Sequence, residues 1–140
     1  MIVVLDASGA VEITERTKCG VDFFSAVMDA ERVMAPDLYV AEIANIMWKH
    51  GRKEKDKADK YAERAQVCID YIDEYISSIE LWEEALRLAQ EYDHSVYDML
   101  YATLSRRHNA TLITMDRGLR QTCLKIPVRC KEIVTEAPSK

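Results

Sequence analysis

The chain has 140 residues, of which 49% are hydrophobic and 31% charged, a balance typical of one soluble globular domain. No apolar stretch is long enough to cross a membrane and the opening residues are too short for a signal peptide, so we expect a cytoplasmic protein. The net charge of −5 argues against a protein that coats nucleic acid, but it does not exclude an enzyme that acts on nucleic acid.

The first third of the chain alternates strands with helices. Residues 2–5 form a continuous apolar run with two valines, which predicts a buried parallel strand. Two short helices and a brief strand that ends at Pro36 are predicted next. Asp37 then lies where it can cap a third helix, and Gly51 lies where it can stop that helix. The predicted bounds are 8–16 and 20–30 for the two helices, 32–35 for the strand, and about residue 50 for the end of the third helix.

The remaining two thirds continue in the same way. Residues 53–76 carry the longest helical pattern, and this helix is expected to pack against the preceding one as an antiparallel hairpin. Ser95 is a candidate cap for a later helix. The further predicted elements are a strand at 77–80, helices at 81–91 and 96–107, a strand at 111–114, a short helix at 116–124 and a final strand at 128–130. This alternation predicts an α/β fold with a parallel sheet flanked by helices.

Four acidic residues, Asp6, Glu42, Asp98 and Asp116, each stand alone in a run that is predicted to be buried and contains no lysine or arginine. Moving an ionised carboxylate from water into an apolar setting costs several kcal/mol unless it is compensated. For any one of the four, a helix cap or a paired core acid is the simpler explanation. One divalent cation would neutralise all four, and Mg²⁺ or Mn²⁺ prefers carboxylate oxygens.

The positions of these acids along the chain agree with a shared site. Asp6 directly follows the first strand, and Asp116 follows the strand at 111–114 by two residues. In an open parallel sheet, ligands gather outside the carboxyl ends of the strands. Asp98 falls in the first turn of its predicted helix, where stabilising the helix dipole is an alternative role.

Three polar residues are candidates for supporting the acids. Asn45 shares a helix face with Glu42 and could hydrogen-bond to it or to a metal-bound water, although an amide satisfied by helix packing is about as good an explanation. Ser8 and Thr114 lie beside Asp6 and Asp116 and are candidate hydroxyl partners of the metal ligands. A helix cap and an ordinary strand residue are at least as good an explanation for these two.

Four cationic residues near the acids are candidates for contacting phosphate groups. Arg117 and Arg120 flank the last acid, and Lys49 and Arg52 lie at the end of the helix that carries Glu42. For any one of them, a solvated surface charge is the simpler explanation.

Together these segments resemble the PIN domain family, and within it the VapC toxins of bacterial and archaeal toxin–antitoxin pairs. The resemblance rests on VVLDAS, APDLYVAEIANIMWKHGR, HSVYDMLYATLSRRHNATLITMDRGL and the closing short strand, in the right order and spacing. It implies a three-layer α/β/α sandwich with a central, mostly parallel sheet as one domain over residues 1–135, followed by a flexible tail at 136–140. Some members carry a further acid where this chain has Gly118.

The resemblance also implies a chemistry. In the family, the acids that match Asp6, Glu42, Asp98 and Asp116 hold one or two Mg²⁺ or Mn²⁺ ions, and Thr114 matches the hydroxyl residue of a T-x-D turn. The implied function is an endoribonuclease that leaves a 5′-phosphate and a 3′-hydroxyl. The implied partners are RNA, a small antitoxin and a second copy of the chain.

Two other functions stay open on the sequence. One is a PIN-like module that binds RNA or a protein without cutting, which the presence of all four acids disfavours. The other is a phosphoacceptor domain of the receiver or phosphatase type, because an aspartate that ends the first strand suits both. Ser8 stands where such a phosphatase needs its second acid, so this class fits poorly.

Overall fold

Five short strands form the centre of the computed structural model, which describes residues 1–134. They are β1 (Ile2–Leu5), β2 (Arg32–Pro36), β3 (Glu74–Ile76), β4 (Thr111–Ile113) and β5 (Arg129–Cys130). All neighbouring pairs are parallel, and the strand order is β3-β2-β1-β4-β5. The last three residues of the central strand β1 are fully buried, and this explains why its sequence is a continuous apolar run.

In the described residues 1–134, seven α-helices pack around this sheet. They are α1 (Ala7–Thr14), α2 (Lys18–Asp29), α3 (Leu38–Gly51), α4 (Ala58–Asp70), α5 (Ser78–Tyr92), α6 (Val96–Arg107) and α7 (Arg117–Lys125), and a short 3₁₀ turn at Lys55–Lys57 precedes α4. The predicted α/β class with a parallel sheet flanked by helices is confirmed. The predicted packing of α4 against α3 is also observed.

The prediction of one helix over residues 53–76 is wrong. Helix α4 ends at Asp70, and residues 74–76 form β3 instead, paired with β2 from Met34 opposite Glu74 to Pro36 opposite Ile76. The Asp73 carboxylate also accepts a hydrogen bond of 2.7 Å from the backbone N–H of Val33. These contacts with a distant strand outweigh the local helical periodicity, which continued to residue 76.

The predicted strand at 77–80 is also wrong, because this segment begins a helix. The Ser77 hydroxyl caps α5 by accepting a hydrogen bond from the backbone N–H of Ile79. The predicted cap by Asp37 is not made. The Asp37 carboxylate accepts hydrogen bonds from the backbone N–H and the hydroxyl of Ser78, and this joins the start of α3 to the start of α5.

Two other predicted helix signals agree with the structure in position. The Ser95 hydroxyl caps α6 by accepting from the backbone N–H of Asp98 at 3.2 Å. Helix α3 ends at Gly51 as predicted, but Gly51 does not adopt the left-handed conformation that often makes glycine a helix stop. A side chain at that position would lie 2.9 Å from the ring of Tyr61, so Gly51 allows α3 and α4 to approach closely.

Among residues 1–134, no helix combines the length and the apolar character needed to span a membrane. The division into a domain of residues 1–135 and a tail of residues 136–140 stays a prediction, because residues 135–140 lie outside the described part of the chain.

Candidate active site

Asp6 is the most buried of the four acids, with 7% of its surface exposed. It follows β1, and its backbone N–H donates to the carbonyl of Ile113 at 2.9 Å, which extends the pairing of β1 with β4. Its Oδ2 accepts hydrogen bonds from the Thr114 hydroxyl at 2.6 Å and the Ser8 hydroxyl at 2.9 Å. Burial raises the pKa of Asp6, and these two hydrogen bonds oppose the rise.

Ser8 and Thr114 also hold the segment that follows β4. The Ser8 Oγ accepts from the backbone N–H of Met115 at 2.9 Å, and the Thr114 Oγ1 accepts from the backbone N–H of Asp116 at 3.0 Å. Each hydroxyl therefore donates to Asp6 and accepts from the turn that carries Asp116. This arrangement places both hydroxyls beside Asp6 and ties the ends of β1 and β4 together.

Glu42 is half-buried in the middle of α3 and accepts a 2.6 Å hydrogen bond at Oε1 from the hydroxyl of Tyr101 on α6. Its pKa is raised to about 7, mainly by burial and further by the negative charges of Asp6 and Asp98. The hydrogen bond from Tyr101 opposes this rise. Glu42 is therefore electrostatically coupled to two of the other three acids.

Asp98 lies in the first turn of α6, with its side chain one quarter exposed. Its Oδ2 lies 2.8 Å from Nε2 of His94. Burial and the negative charge of Asp116 raise the pKa of Asp98, and the contact with His94 opposes the rise. Asp98 thus links the buried acids to Asp116.

Asp116 is exposed and caps α7, because its Oδ1 accepts from the backbone N–H of Leu119 at 2.9 Å. A side chain at Gly118 would lie 3.4 Å from this Oδ1 and 3.4 Å from Cε1 of His94. The position where some family members carry a further acid is therefore beside the site. Arg117, the first residue of α7, is exposed.

The structure brings the four acids into one electrostatically coupled group around the carboxyl ends of β1 and β4. None of them forms an ion pair with a lysine or arginine of residues 1–134, and His94 is the basic neighbour of Asp98. Neighbouring negative charges raise the pKa values of Asp6, Glu42 and Asp98, and without such a partner these charges favour binding of a cation. An all-oxygen donor set also suits Mg²⁺ or Mn²⁺.

The acids do not form a closed cage in this conformation. In the described residues, no three or more His, Cys, Asp or Glu side chains are close enough together to hold a metal ion. Mg²⁺ usually keeps several waters and needs only one or two carboxylates together with substrate phosphates. The donor chemistry therefore fits this ion, with water completing much of its coordination.

Asn45 is exposed on α3 and makes no hydrogen bond to Glu42, whose Oε1 accepts from Tyr101 instead. Arg120 supports the fold: its Nη1 donates to the carbonyls of Thr114 at 3.1 Å and Lys131 at 2.8 Å. Arg120, which was predicted as a phosphate contact, thus has a structural role in the fold.

The two other predicted phosphate contacts lie at the end of α3. The guanidinium of Arg52 lies over the ring of Trp48, 4.9 Å from its centre, and Lys49 is exposed. A phosphate contact for these two stays a prediction.

Sequence reasoning missed two residues that contact the acids, His94 and Tyr101. Tyr101 lies three residues after Asp98 in the same helix, so the spacing could have placed it on the same face. His94 lies in the loop before α6, where no periodicity indicates the direction of a side chain.

The sequence profile described as the PIN domain matches residues 3–125, which is most of the chain. The chain therefore belongs to the PIN domain family. Ribonuclease VapC3 of Pyrobaculum aerophilum is 27% identical to it over 123 residues, which cover 86% of this chain and 94% of that protein. The predicted resemblance to the PIN domain family and its VapC members is thus confirmed.

Two solved structures share the fold. The crystal structure of PAE2754 from Pyrobaculum aerophilum superposes with a TM-score of 0.69 at 21% identity, over 87% of each chain. VapBC2 from Rickettsia felis, bound to a DNA fragment from their promoter, superposes with a TM-score of 0.66 at 16% identity, over 94% of this chain and 98% of that one. The PIN-like architecture predicted from the sequence is confirmed.

Proposed function

We propose that this chain is a Mg²⁺- or Mn²⁺-dependent endoribonuclease that hydrolyses phosphodiester bonds in RNA. The observation that carries this proposal is the coupled group of Asp6, Glu42, Asp98 and Asp116, which lacks a lysine or arginine partner within residues 1–134. Membership of the PIN domain family and the likeness to a ribonuclease support the same chemistry.

In this proposal, Asp6, Asp98 and Asp116 would hold the ion, and Glu42 would either bind it as well or orient the attacking water. A bound divalent ion lowers the pKa of a water and offsets the negative charge that develops on the phosphate. In-line attack then leaves a 5′-phosphate and a 3′-hydroxyl. Arg117, exposed beside Asp116, is positioned to contact a substrate phosphate.

The supporting residues fix the direction of the carboxylates. Ser8 and Thr114 both donate to Oδ2 of Asp6 and so restrict rotation of that buried group. Tyr101 holds Oε1 of Glu42, which leaves Oε2 to take a proton from water. Because the pKa of Glu42 is raised to about 7, this carboxylate can exchange a proton near neutral pH.

We further propose that the chain is the toxin of a type II toxin–antitoxin pair in the cytoplasm, with a small antitoxin as its partner and a homodimer as its assembly. The likeness to ribonuclease VapC3 and the fold shared with VapBC2 support this proposal. Its test is induction of the chain in a bacterial host. Growth should stop with the wild type and continue with Asp6→Asn at equal protein levels.

The ribonuclease proposal is tested with purified protein and end-labelled single-stranded RNA in Mg²⁺, in Mn²⁺ and in EDTA. Asp98→Asn and Asp6→Asn should each lower the cleavage rate at least about 100-fold, since charge stabilisation at a reacting phosphate is worth this much. The matched control is Asp59→Asn, because Asp59 is an exposed aspartate in the first turn of another helix, α4. Its rate should equal that of the wild type.

Two results would contradict the proposal. Full cleavage in EDTA would contradict the proposed metal dependence. Full cleavage by both Asp6→Asn and Asp98→Asn would contradict the proposed site. RNA binding without cleavage under every metal condition would instead support a non-catalytic PIN-like module.

A further inference from the structure

A concave surface runs along the outer edge of the sheet, beside the last strand β5. This surface, called here the β5 groove, is formed by the end of α6, by α7, by β5 and by the segment up to Ile133. Its volume is about 1280 Å³. It is distinct from the carboxylate group, although one of its ends lies beside Asp116.

The lining of the β5 groove is strongly basic. It contains one acidic residue, Glu132, and five cationic residues: Arg106, Arg117, Arg120, Arg129 and Lys131. Such a concentration contrasts with the net charge of −5 for the whole chain. Five of the 19 lysines and arginines of the chain therefore line one surface together with a single acid.

Three of the five cations form no ion pair with a carboxylate of residues 1–134. Arg120 and Arg129 donate to backbone carbonyls, and Arg117 is exposed. The other two are paired with acids that do not line the groove. Arg106 lies 2.9 Å from Glu84, and Lys131 lies 3.2 Å from Asp22.

One end of the β5 groove begins beside the acids, and the groove leads away from them. Arg117 directly follows Asp116, so one end of the groove begins at the carboxyl end of the sheet. At the other end, Arg129 donates to the carbonyl of Asn109 at 2.8 Å, next to the first residues of β4 and β5. The groove thus extends along β4, a distance of roughly 10 Å for three strand residues, which exceeds the reach of a single phosphate.

We propose that the β5 groove binds the sugar–phosphate backbone of single-stranded RNA on one side of the scissile bond. This inference rests on the proposed function. The reacting phosphate of the RNA would lie at the four acids. If the RNA continues past Arg117, its next phosphates lie among the cations of the groove. An acidic peptide would match the charge, but the continuity with the acids favours the substrate itself.

The test compares arginines inside the groove with matched arginines outside it. Arg106→Gln is paired with Arg107→Gln, because both residues lie at the end of α6 and contact Glu84, but Arg107 does not line the groove. Arg129→Gln is paired with Arg32→Gln, because both residues begin a strand.

All four variants are made in an Asp116→Asn background to suppress cleavage, and asparagine caps a helix as well as aspartate does. Binding of a labelled 12-nucleotide RNA is followed by fluorescence anisotropy at several salt concentrations. Each phosphate contact contributes about 0.7 to the slope of log K against log salt, so losing one should weaken binding about fourfold at 0.15 M salt. Arg106→Gln and Arg129→Gln should show both effects, and the two controls should stay within about twofold of the background.

Equal losses in the controls, or no loss in the groove variants, would overturn the inference. A glutamate oligomer of equal charge that binds as tightly and loses affinity in the same variants would assign the groove to an acidic peptide. Failure of the proposed function can be told apart from failure of this inference. If only the proposed function fails, the wild-type protein binds RNA through the groove but never cleaves it. If the wild-type protein cleaves RNA but the groove variants bind RNA as tightly as the background, only the inference about the groove is refuted.

Discussion

Replacing Glu42 by glutamine should stabilise the metal-free protein while removing its activity. In the folded chain, burial and the charges of Asp6 and Asp98 raise the pKa of Glu42 from its ordinary value of 4.5 to about 7. Above pH 7 the folded state must therefore hold an ionised carboxylate in an unfavourable place. Glutamine is neutral and keeps an oxygen that can accept the hydrogen bond from Tyr101.

The size and the pH window of this effect follow from linkage. Below about pH 4.5 the carboxyl is protonated in both folded and unfolded states, so no penalty exists. Between about pH 4.5 and 7 the unfolded chain loses its proton first, and the stability of the wild type falls as pH rises. At about 1.4 kcal/mol per pH unit the full penalty is about 3 kcal/mol, and partial solvent access reduces it to about 2 kcal/mol.

The assay is urea unfolding in EDTA at pH 4.5 and pH 8, for the wild type and Glu42→Gln. The free energy of unfolding of the variant should exceed that of the wild type by about 2 kcal/mol at pH 8 and by little at pH 4.5. The control is Glu83→Gln, an exposed glutamate of α5, which should change neither value. A gain that does not depend on pH, or no gain at pH 8, would refute the electrostatic account of Glu42.

Four further predictions concern the site and the packing of the helices. Tyr101→Phe removes a hydrogen bond that lowers the pKa of Glu42, so in EDTA the fall in the free energy of unfolding that begins near pH 4.5 should extend to higher pH than in the wild type, and an unchanged pH dependence would contradict this. Mg²⁺ at 100 times its dissociation constant should raise the free energy of unfolding by about 2.7 kcal/mol, and Asp6→Asn should abolish most of this gain in the same titration. Gly20→Ala should destabilise the protein by about 3 kcal/mol in urea unfolding, because the new Cβ would lie 1.9 Å from a backbone oxygen of α1. Gly118→Ala, with its nearest neighbours at 3.4 Å, should change stability by less than about 1 kcal/mol.

The sequence alone was sufficient to predict those helices and strands whose local residue pattern agrees with their place in the fold. The apolar run that became β1 is buried on both sides, so its composition reports its position directly. The cap at Ser95 depends on a serine and a backbone N–H three residues away. The four acids could be singled out because a charge inside a run that is predicted to be buried needs compensation. The structure buries Asp6, leaves Glu42 and Asp98 partly buried and leaves Asp116 exposed, and their shared role stays a prediction.

The errors occur where a distant contact outweighs a local preference. Residues 74–76 continue a helical pattern but pair with β2, because a parallel neighbour supplies backbone hydrogen bonds that no local window contains. Asp37 has the residue type and position of a helix cap, yet its carboxylate binds Ser78, 41 residues away.

The arrangement inside the site was likewise decided by the tertiary structure. The sequence determined which residues are acidic and where each lies along the chain. Only the fold brings Tyr101 of α6 onto Glu42 of α3, places His94 on Asp98, and joins Ser8 and Thr114 on one oxygen of Asp6. Burial and neighbouring charge raise the pKa values of Asp6, Glu42 and Asp98, and both depend on distances in space that the order of residues does not contain.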